Sequence, residues 1–496
     1  MEREILSTNR KALRLNLDDS VYGTFAEIGG GQEASRNFFT AGGASGTIAK
    51  TVSAYDKKFS DRFYNNNKPG RYVSEGRLTK MVKTEFDELV NVLEKENVHN
   101  RRYFAFANTV ATINYKKDNF SHGWLGIRFQ LEADSDPNQV VMHVNLHEND
   151  AVLQQQSLGV LGVNFIFACF HFHDRPNVFL QSLLDGLDRD RVEITLIRMS
   201  GPDLSYVDNR LLSVQLVNNG MTNATMFDRN GNVQQASDML YKKNVLAFRG
   251  SFRPITYVGF DMLKTSFGMF KKDDDYEKDN TISLCEMTLN NLLEEGEFDE
   301  RDFLDRADML IGMGQNVMVS NYREYYKLVT YFSQFKIKNL RVVIGIPTFL
   351  NVLDQRYYTQ LKGGILEAFG KLFTNNMKLY VYPTKDHESG ELITSHNIPL
   401  DDELEHLYKY LIQNRKIIDL EGVNTDKLHI KSKEVLSIIK NNEKGWEKLV
   451  PVYIEEFIKT NKLFGFQGKQ ELVKRAEDCD HIMGERTRLA KKKRKE

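Results

Sequence analysis

Residues 242–263 read KKNVLAFRGSFRPITYVGFDML. The apolar run over 245–248 predicts a strand, and Gly250, Ser251, Phe252 and Pro254 follow it at once. Gly250 permits a tight turn and a close backbone approach, Ser251 adds a hydroxyl, and Pro254 fixes the direction of exit. A helix starting soon after would aim its N-terminal amides at the same crevice, where an anion is favoured. A plain strand and turn with a structural Gly and Pro accounts for the same residues. Both readings stay open at this point.

Working outward, strand-like runs at 281–287, 317–320, 340–346 and 378–382 alternate with helical patterns at 303–309, 323–335 and 364–373. Alternation of this kind requires crossover connections and predicts a mostly parallel, Rossmann-like sheet. Such sheets bind ligands outside the carboxyl ends of their strands. From 401 onward the pattern reads as helical. Upstream, helices are expected at 32–39, 77–96 and 208–218, and strands at 102–115, 123–132, 139–145 and 192–199. The short connections among the first three strands predict antiparallel pairing. Helix and strand signals mix at 151–172. The expected division is an α+β domain over 1–240, a Rossmann-like α/β domain over 241–400, and a helical region with a basic tail over 401–496.

The chain has 496 residues, too many for one core. With 67 basic and 68 acidic residues its formal net charge is −1, which gives no electrostatic case for nucleic acid or membrane as a partner. The basic run Lys491–Lys495 is the exception, and reads as a solvated end. Cys169, Cys285 and Cys479 are scattered, which fits a reducing cytoplasm and supplies no thiolate metal site. The apolar run near 158–172 is too short and interrupted to span a bilayer.

Several other clusters carry possible chemistry. AGGASGTIAKT resembles a phosphate-binding P-loop, but Ala44 and Ala49 stand where that loop needs Gly. Gly29, Gly30 and Gly31 mark a loop entering a helix, or else a backbone-lined pocket. His143 and His147, if on one strand, lie about 13 Å apart at about 3.3 Å per residue and cannot share a metal. His171 and His173 could share one on a strand, with Asp174. Asp302, Asp305 and Asp308 fall on one helix face, read as solvated rather than as a Mg²⁺ site. No zinc is expected.

Arg249 to Gly259, RGSFRPITYVG, resembles the first signature of the nicotinate-nucleotide adenylyltransferases, Gly-Gly-x-Phe-Asp-Pro-x-His-x-Gly-His. Gly250, Phe252 and Pro254 match in register, and Thr256 stands at the first His. Val258-Gly259 replaces the closing Gly-His. Downstream, Ile393-Thr394-Ser395-His396 resembles the start of the family's Ile-Ser-x-Thr-x-x-Arg, with Pro399 at the Arg. LVPVYIEEFIKTNKLFGF resembles the family's helical tail. The whole chain resembles a bacterial family that commonly carries that name. The resemblance implies a nucleotidyltransferase of NAD biosynthesis, moving the adenylyl group of ATP to nicotinate mononucleotide with Mg²⁺. Thr256 and His396 would then be catalytic, and Gly250, Ser251, Phe252, Arg253, Thr394 and Ser395 would bind nucleotide or phosphate. The alternative is a non-catalytic protein that binds a phosphorylated metabolite or forms a homo-oligomer. A third reading takes YVGFDMLKTS as similar to the nucleophile loop of haloacid-dehalogenase-like phosphatases, with Asp261 as nucleophile and Leu263 in place of the general-acid Asp.

Overall fold

The structure, a computed structural model, describes residues 3–94, 100–273, 276–293, 296–374, 376–386 and 388–467. The basic tail and Cys479 lie outside the described residues. The chain forms two compact units, and passes between them more than once. Unit 1 comprises Met1–Thr225 and Asn232–Gln235; unit 2 comprises Met226–Gly231 and Ala236–Glu496.

Unit 1 is built on a sheet of β1 (Val21–Ile28), β2 (Ile48–Val52), β3 (Arg102–Ala111), β4 (His122–Phe129), β5 (Asn138–Leu146) and β6 (Val192–Ser200), in the order β2-β1-β3-β4-β5-β6. β1 runs parallel to β2 and β3; the pairs β3–β4, β4–β5 and β5–β6 are antiparallel, as the short connections predict. β1 and β2 were not legible in the Gly-rich opening. One sheet face packs Phe104, Phe106, Leu125, Ile127, Met142 and Val144 against the helix Ala151–His171. That helix is apolar on all sides because it is a core element, with 72% of its most apolar window buried. The mixed signals at 151–172 therefore resolve as one helix. His171 ends it and His173 lies beyond, so the two do not share a strand face.

Gly29 at the end of β1 has φ 87°, and a Cβ there would stand 2.0 Å from the backbone oxygen of Val110. Gly29→Ala should destabilise unit 1 by about 1–3 kcal/mol, since neither the backbone angle nor the neighbouring strand can yield cheaply. Urea unfolding checks this; a loss below about 0.5 kcal/mol would show that the loop relaxes.

Short strands β7 (Ala224–Phe227) and β8 (Val233–Gln234) lie where the chain passes between the units. Unit 2 then lays down β9 (Asn244–Arg249), β10 (Thr281–Thr288), β11 (Asn316–Ser320), β12 (Asn339–Gly345) and β13 (Met377–Tyr382). A small antiparallel pair follows, β14 (Thr384–Lys385) with β15 (Leu392–Ile393), and then β16 (Ile417–Asp419). The main strands lie in the order β11-β10-β9-β12-β13-β16, and every neighbouring pair is parallel. Helices Tyr257–Phe270, Glu300–Gly312, Tyr325–Ser333, Gly364–Leu372 and Glu405–Gln413 make the crossovers. β9 and β11 are buried almost throughout, which is why they read as unbroken apolar runs rather than alternating ones. The parallel sheet expected from the alternation is present. β16 is an addition, in a region read as helical throughout. It is only three residues long, too short to carry a period.

Candidate site at the carboxyl edge of the parallel sheet

Numbered by appearance, the six parallel strands of unit 2 lie in the order 3-2-1-4-5-6. This is the doubly wound arrangement. Successive connections leave β9 and β12 on opposite faces, and in sheets of this order ligands bind outside the carboxyl ends at that point. The 250–256 loop leaves β9 there, and Gly345 leads from β12 into the helix Ile346–Leu353.

The last residue of β9 is already engaged. Arg249 Nε donates to Glu286 Oε2 at 2.5 Å and Nη2 donates to Oε1 at 2.9 Å. Arg249 also donates to the carbonyls of Tyr322 and Arg323 and lies over the Tyr325 ring. Burial alone would push this guanidinium down; the Glu286 carboxylate more than offsets it and holds the group above its ordinary value. Ser320 Oγ donates to Glu286 at 2.5 Å. Three adjacent strand ends are thus tied by one fully buried carboxylate. In dinucleotide-binding sheets an acid near the end of the second strand accepts ribose hydroxyls. Here Glu286, near the end of the second strand, has both oxygens occupied.

The loop itself turns inward. Phe252 has φ 51° and is buried, its ring edge-on to Phe248 at 5.4 Å. A Cβ on Gly250 would meet that ring at 3.3 Å, so Gly250 makes room for Phe252. Arg253 Nε donates to Asp302 Oδ1 at 2.5 Å. Arg306 pairs with the other oxygen of Asp302 and donates to the carbonyls of Ser251 and Asn291. Asp302 and Asp305 are buried, contrary to a solvated helix face: each pairs with an arginine one turn away on its own helix and also meets a group from far along the chain. Asp305 accepts from the Phe464 amide. Thr256 is buried at the N-cap of Tyr257–Phe270 and makes no side-chain capping bond.

Thr394, Ser395 and His396 form a second group. The Ser395 amide and Oγ donate to the two oxygens of Asp419, at 3.0 and 2.9 Å, and His396 Nε2 lies 3.6 Å from Asp419 Oδ2. Tyr408 donates to the Ser395 carbonyl at 2.6 Å. A cavity of about 360 Å³ adjoins them, lined by Ser395, His396, Ile398, Leu400, Tyr408 and Lys409 among others. Asp419 ends β16, which β12 and β13 separate from β9. At about 4.8 Å per strand the two groups stand roughly 14 Å apart along the edge. The structure therefore gathers Gly250, Ser251, Phe252, Arg253 and Thr256 in one place, and Thr394, Ser395 and His396 in another.

Asp261 corrects the phosphatase reading. It lies inside the helix Tyr257–Phe270 rather than on a loop at a strand end, and its carboxylate accepts from Tyr382 Oη and the Asn424 amide, each at 2.8 Å. Lys50 and Thr51 likewise sit on β2 and not on a phosphate-binding turn; Lys50 pairs with Glu85 and Glu88.

In unit 1 the sequence reading missed His122. Its Nδ1 lies 3.0 Å from His143 Nε2. His143 Nδ1 faces Thr195 Oγ1 at 2.6 Å and Gln235 Nε2 at 3.0 Å. The antiparallel pairing of β4 with β5 brings them together, and only that register could have signalled it. Burial first, then the neighbouring His122 and Arg71, pushes His143 down to about 3. The His171 ring lies against Phe167, centroids 4.1 Å apart and tilted by 39°, and is pushed down to about 4, chiefly by burial. Among the described residues no three His, Cys, Asp or Glu side chains are grouped to hold a metal.

No known protein family and no curated protein matches this chain. Among solved structures it is similar to a competence/damage-inducible protein from Agrobacterium tumefaciens, at 13% identity over 34% of this chain and 98% of that one, TM-score 0.24. It is similar to a competence-damaged protein (CinA) superfamily protein from Enterobacter cloacae, at 11% identity over 34% of this chain and 96% of that one, TM-score 0.26. It is also similar to a proposed nicotinate-nucleotide adenylyltransferase from Vibrio parahaemolyticus, at 11% identity over 45% of this chain and 96% of that one, TM-score 0.23. At these scores the likenesses carry no argument about activity, and the site stands on its own geometry.

Proposed function

We propose that unit 2 binds a nucleotide or another phosphorylated metabolite at the crevice between β9 and β12, in a reducing, cytoplasmic setting. The observation that carries this is the strand order, which reverses at β9 and puts the 250–256 loop and the start of Tyr257–Phe270 at the switch point. The finer reading is adenylyl transfer from ATP to nicotinate mononucleotide with release of pyrophosphate. In it Arg253 exchanges the Asp302 carboxylate for phosphate oxygens, which suit the same guanidinium fork. Thr256 adds a hydroxyl at the helix start, while Thr394, Ser395 and His396 serve a second phosphate. The carboxylates at this edge, Glu286, Asp302, Asp419 and Asp261, each hold a protein partner and do not converge. Among the described residues they form no Mg²⁺ cage, so an ion here would be held mainly by the ligand's phosphates and would supply charge neutralisation.

A second reading, binding without catalysis, is favoured by a specific observation. Both donor sets assigned to phosphate are turned onto internal carboxylates, Arg253 onto Asp302 and Ser395 with His396 onto Asp419. Gly259 and Pro399 stand where the resembled family has its second His and its Arg.

Calorimetry with ATP and nicotinate mononucleotide tests the binding. Arg253→Ala should weaken it by about 1.5–3 kcal/mol, the size of a charge-assisted hydrogen bond. Titrations in which neither ligand binds, or both bind the variant as tightly as the wild type, would refute the proposal. A pyrophosphate-release assay then separates transfer from binding alone.

A further inference from the structure

The 250–256 loop and the start of the following helix are held down by a later part of unit 2. Ser432 Oγ contacts the carbonyls of Arg253 at 3.0 Å and Pro254 at 2.8 Å. The Tyr257 amide, first in its helix, donates to the Leu449 carbonyl at 3.1 Å. Lys427 Nζ lies over the Tyr257 ring, 5.1 Å from its centroid. The Asn424 amide donates to Asp261 on the same helix. These contacts come from one continuous stretch, residues 424–449, which contains the helix Ser432–Lys440. That stretch is anchored by buried Ile430, Val435, Ile439 and Trp446.

The chemistry of these contacts matters more than their number. A phosphate at the switch point needs the leading amides of Tyr257–Phe270 and a loop free to present its donors. The Leu449 carbonyl takes the leading amide, as an anion would. Ser432 ties two successive carbonyls and so fixes how the loop turns. An incoming anion must displace the first contact, and a loop adapting to it must break the second.

We infer that residues 424–449 form an autoinhibitory strap over the proposed phosphate site, competing with its ligand for the 250–257 backbone. This rests on the nucleotide-binding reading. A ligand that binds only the strap-open form shows an affinity reduced by the fraction of molecules open. Loosening the strap should therefore tighten binding, the opposite of what loss of a positioning contact would do.

The test uses the full chain with ATP as the probe. Ser432→Ala removes one hydroxyl and leaves both helices intact. Its affinity for ATP should rise roughly three- to tenfold, the equivalent of one or two hydrogen bonds at a net ~1 kcal/mol or less each. Amide exchange at residues 430–450 should quicken when ATP is added to the wild type. Tyr257→Pro gives a second variant. Proline suits the first helical position, and Thr256 before it is already extended with ψ 175°. Without ligand this variant should show faster exchange near Val450, because Leu449 has lost its donor. Equal or weaker ATP binding by Ser432→Ala, or slower exchange at 430–450 with ATP, overturns the strap while leaving nucleotide binding in place. If ATP binds neither wild type nor variant, the nucleotide reading falls and the strap falls with it.

Discussion

Replacing Glu286 with alanine is expected to remove about 3–5 kcal/mol of stability from unit 2. The reason is what remains behind. Arg249, with a side chain 9% exposed, would keep its charge and lose both carboxylate oxygens. The carbonyls of Tyr322 and Arg323 and the face of Tyr325 would still receive it, but none of them carries a formal charge. Ser320 would lose its acceptor as well. Each unit holds one tryptophan, Trp124 in unit 1 and Trp446 in unit 2, both buried. Urea unfolding in a Trp124→Phe background therefore reports unit 2 by itself. The double variant Glu286→Ala with Arg249→Met should recover most of the loss, since an apolar pair avoids the stranded charge. A single-variant loss below about 1 kcal/mol, or no recovery in the double variant, would show that the pair is not what ties the three strand ends together.

Acid should weaken unit 1 through His143. Unfolded, the ring titrates near 6.5; folded, it is held down to about 3. Above pH 6.5 it is neutral in both states and its contribution to stability is complete. Between 6.5 and 3 the unfolded chain takes a proton that the folded one refuses, so stability falls as pH falls. One such group gives a slope of about 1.4 kcal/mol per pH unit in that window. The Trp124 ring stands edge-on to His143 at 4.9 Å, and its fluorescence in a Trp446→Phe background follows unit 1. The wild-type slope contains other groups, His171 among them. The expected result is therefore a difference: His143→Gln should be flatter by close to one proton between pH 6 and 4. Parallel slopes would mean that His143 takes up a proton without opening its pocket.

Unit 2 was legible because parallel strands covered on both faces read as apolar runs between helices. The boundaries of β9, β10, β11, β12 and β13 fall within about a residue or two of those read from the sequence, the usual scatter at element ends. Unit 1 was less legible at β1 and β2, where Gly23 and a high share of polar residues masked the strand pattern. The helix Ala151–His171 defeated a periodicity reading because burial on all sides leaves no polar face. The site was legible in place more than in detail. The switch point follows from strand order, and the loop falls there. What the sequence could not show was the destination of each charge. Arg253 meets Asp302 forty-nine positions away, and Ser395 meets Asp419 across a helix. His122 and His143 meet only through strand register. Local spacing shows the i,i+4 arginines of Asp302 and Asp305 but not the distant groups that bury them, and that acidic face looked solvated for that reason.

The chain crosses from unit 1 to unit 2 after Thr225, returns after Gly231, and leaves again after Gln235. No single cut separates the units. A recombination breakpoint at Thr225 would strand Gln235 with the wrong half, taking from His143 and Thr195 the amide side chain that both contact. On the ribosome, unit 1 stays short of that partner until a few residues of unit 2 have already been made. The two halves are thus inherited and synthesised as an interleaved pair, and neither could have been borrowed whole by a simple fusion at their border.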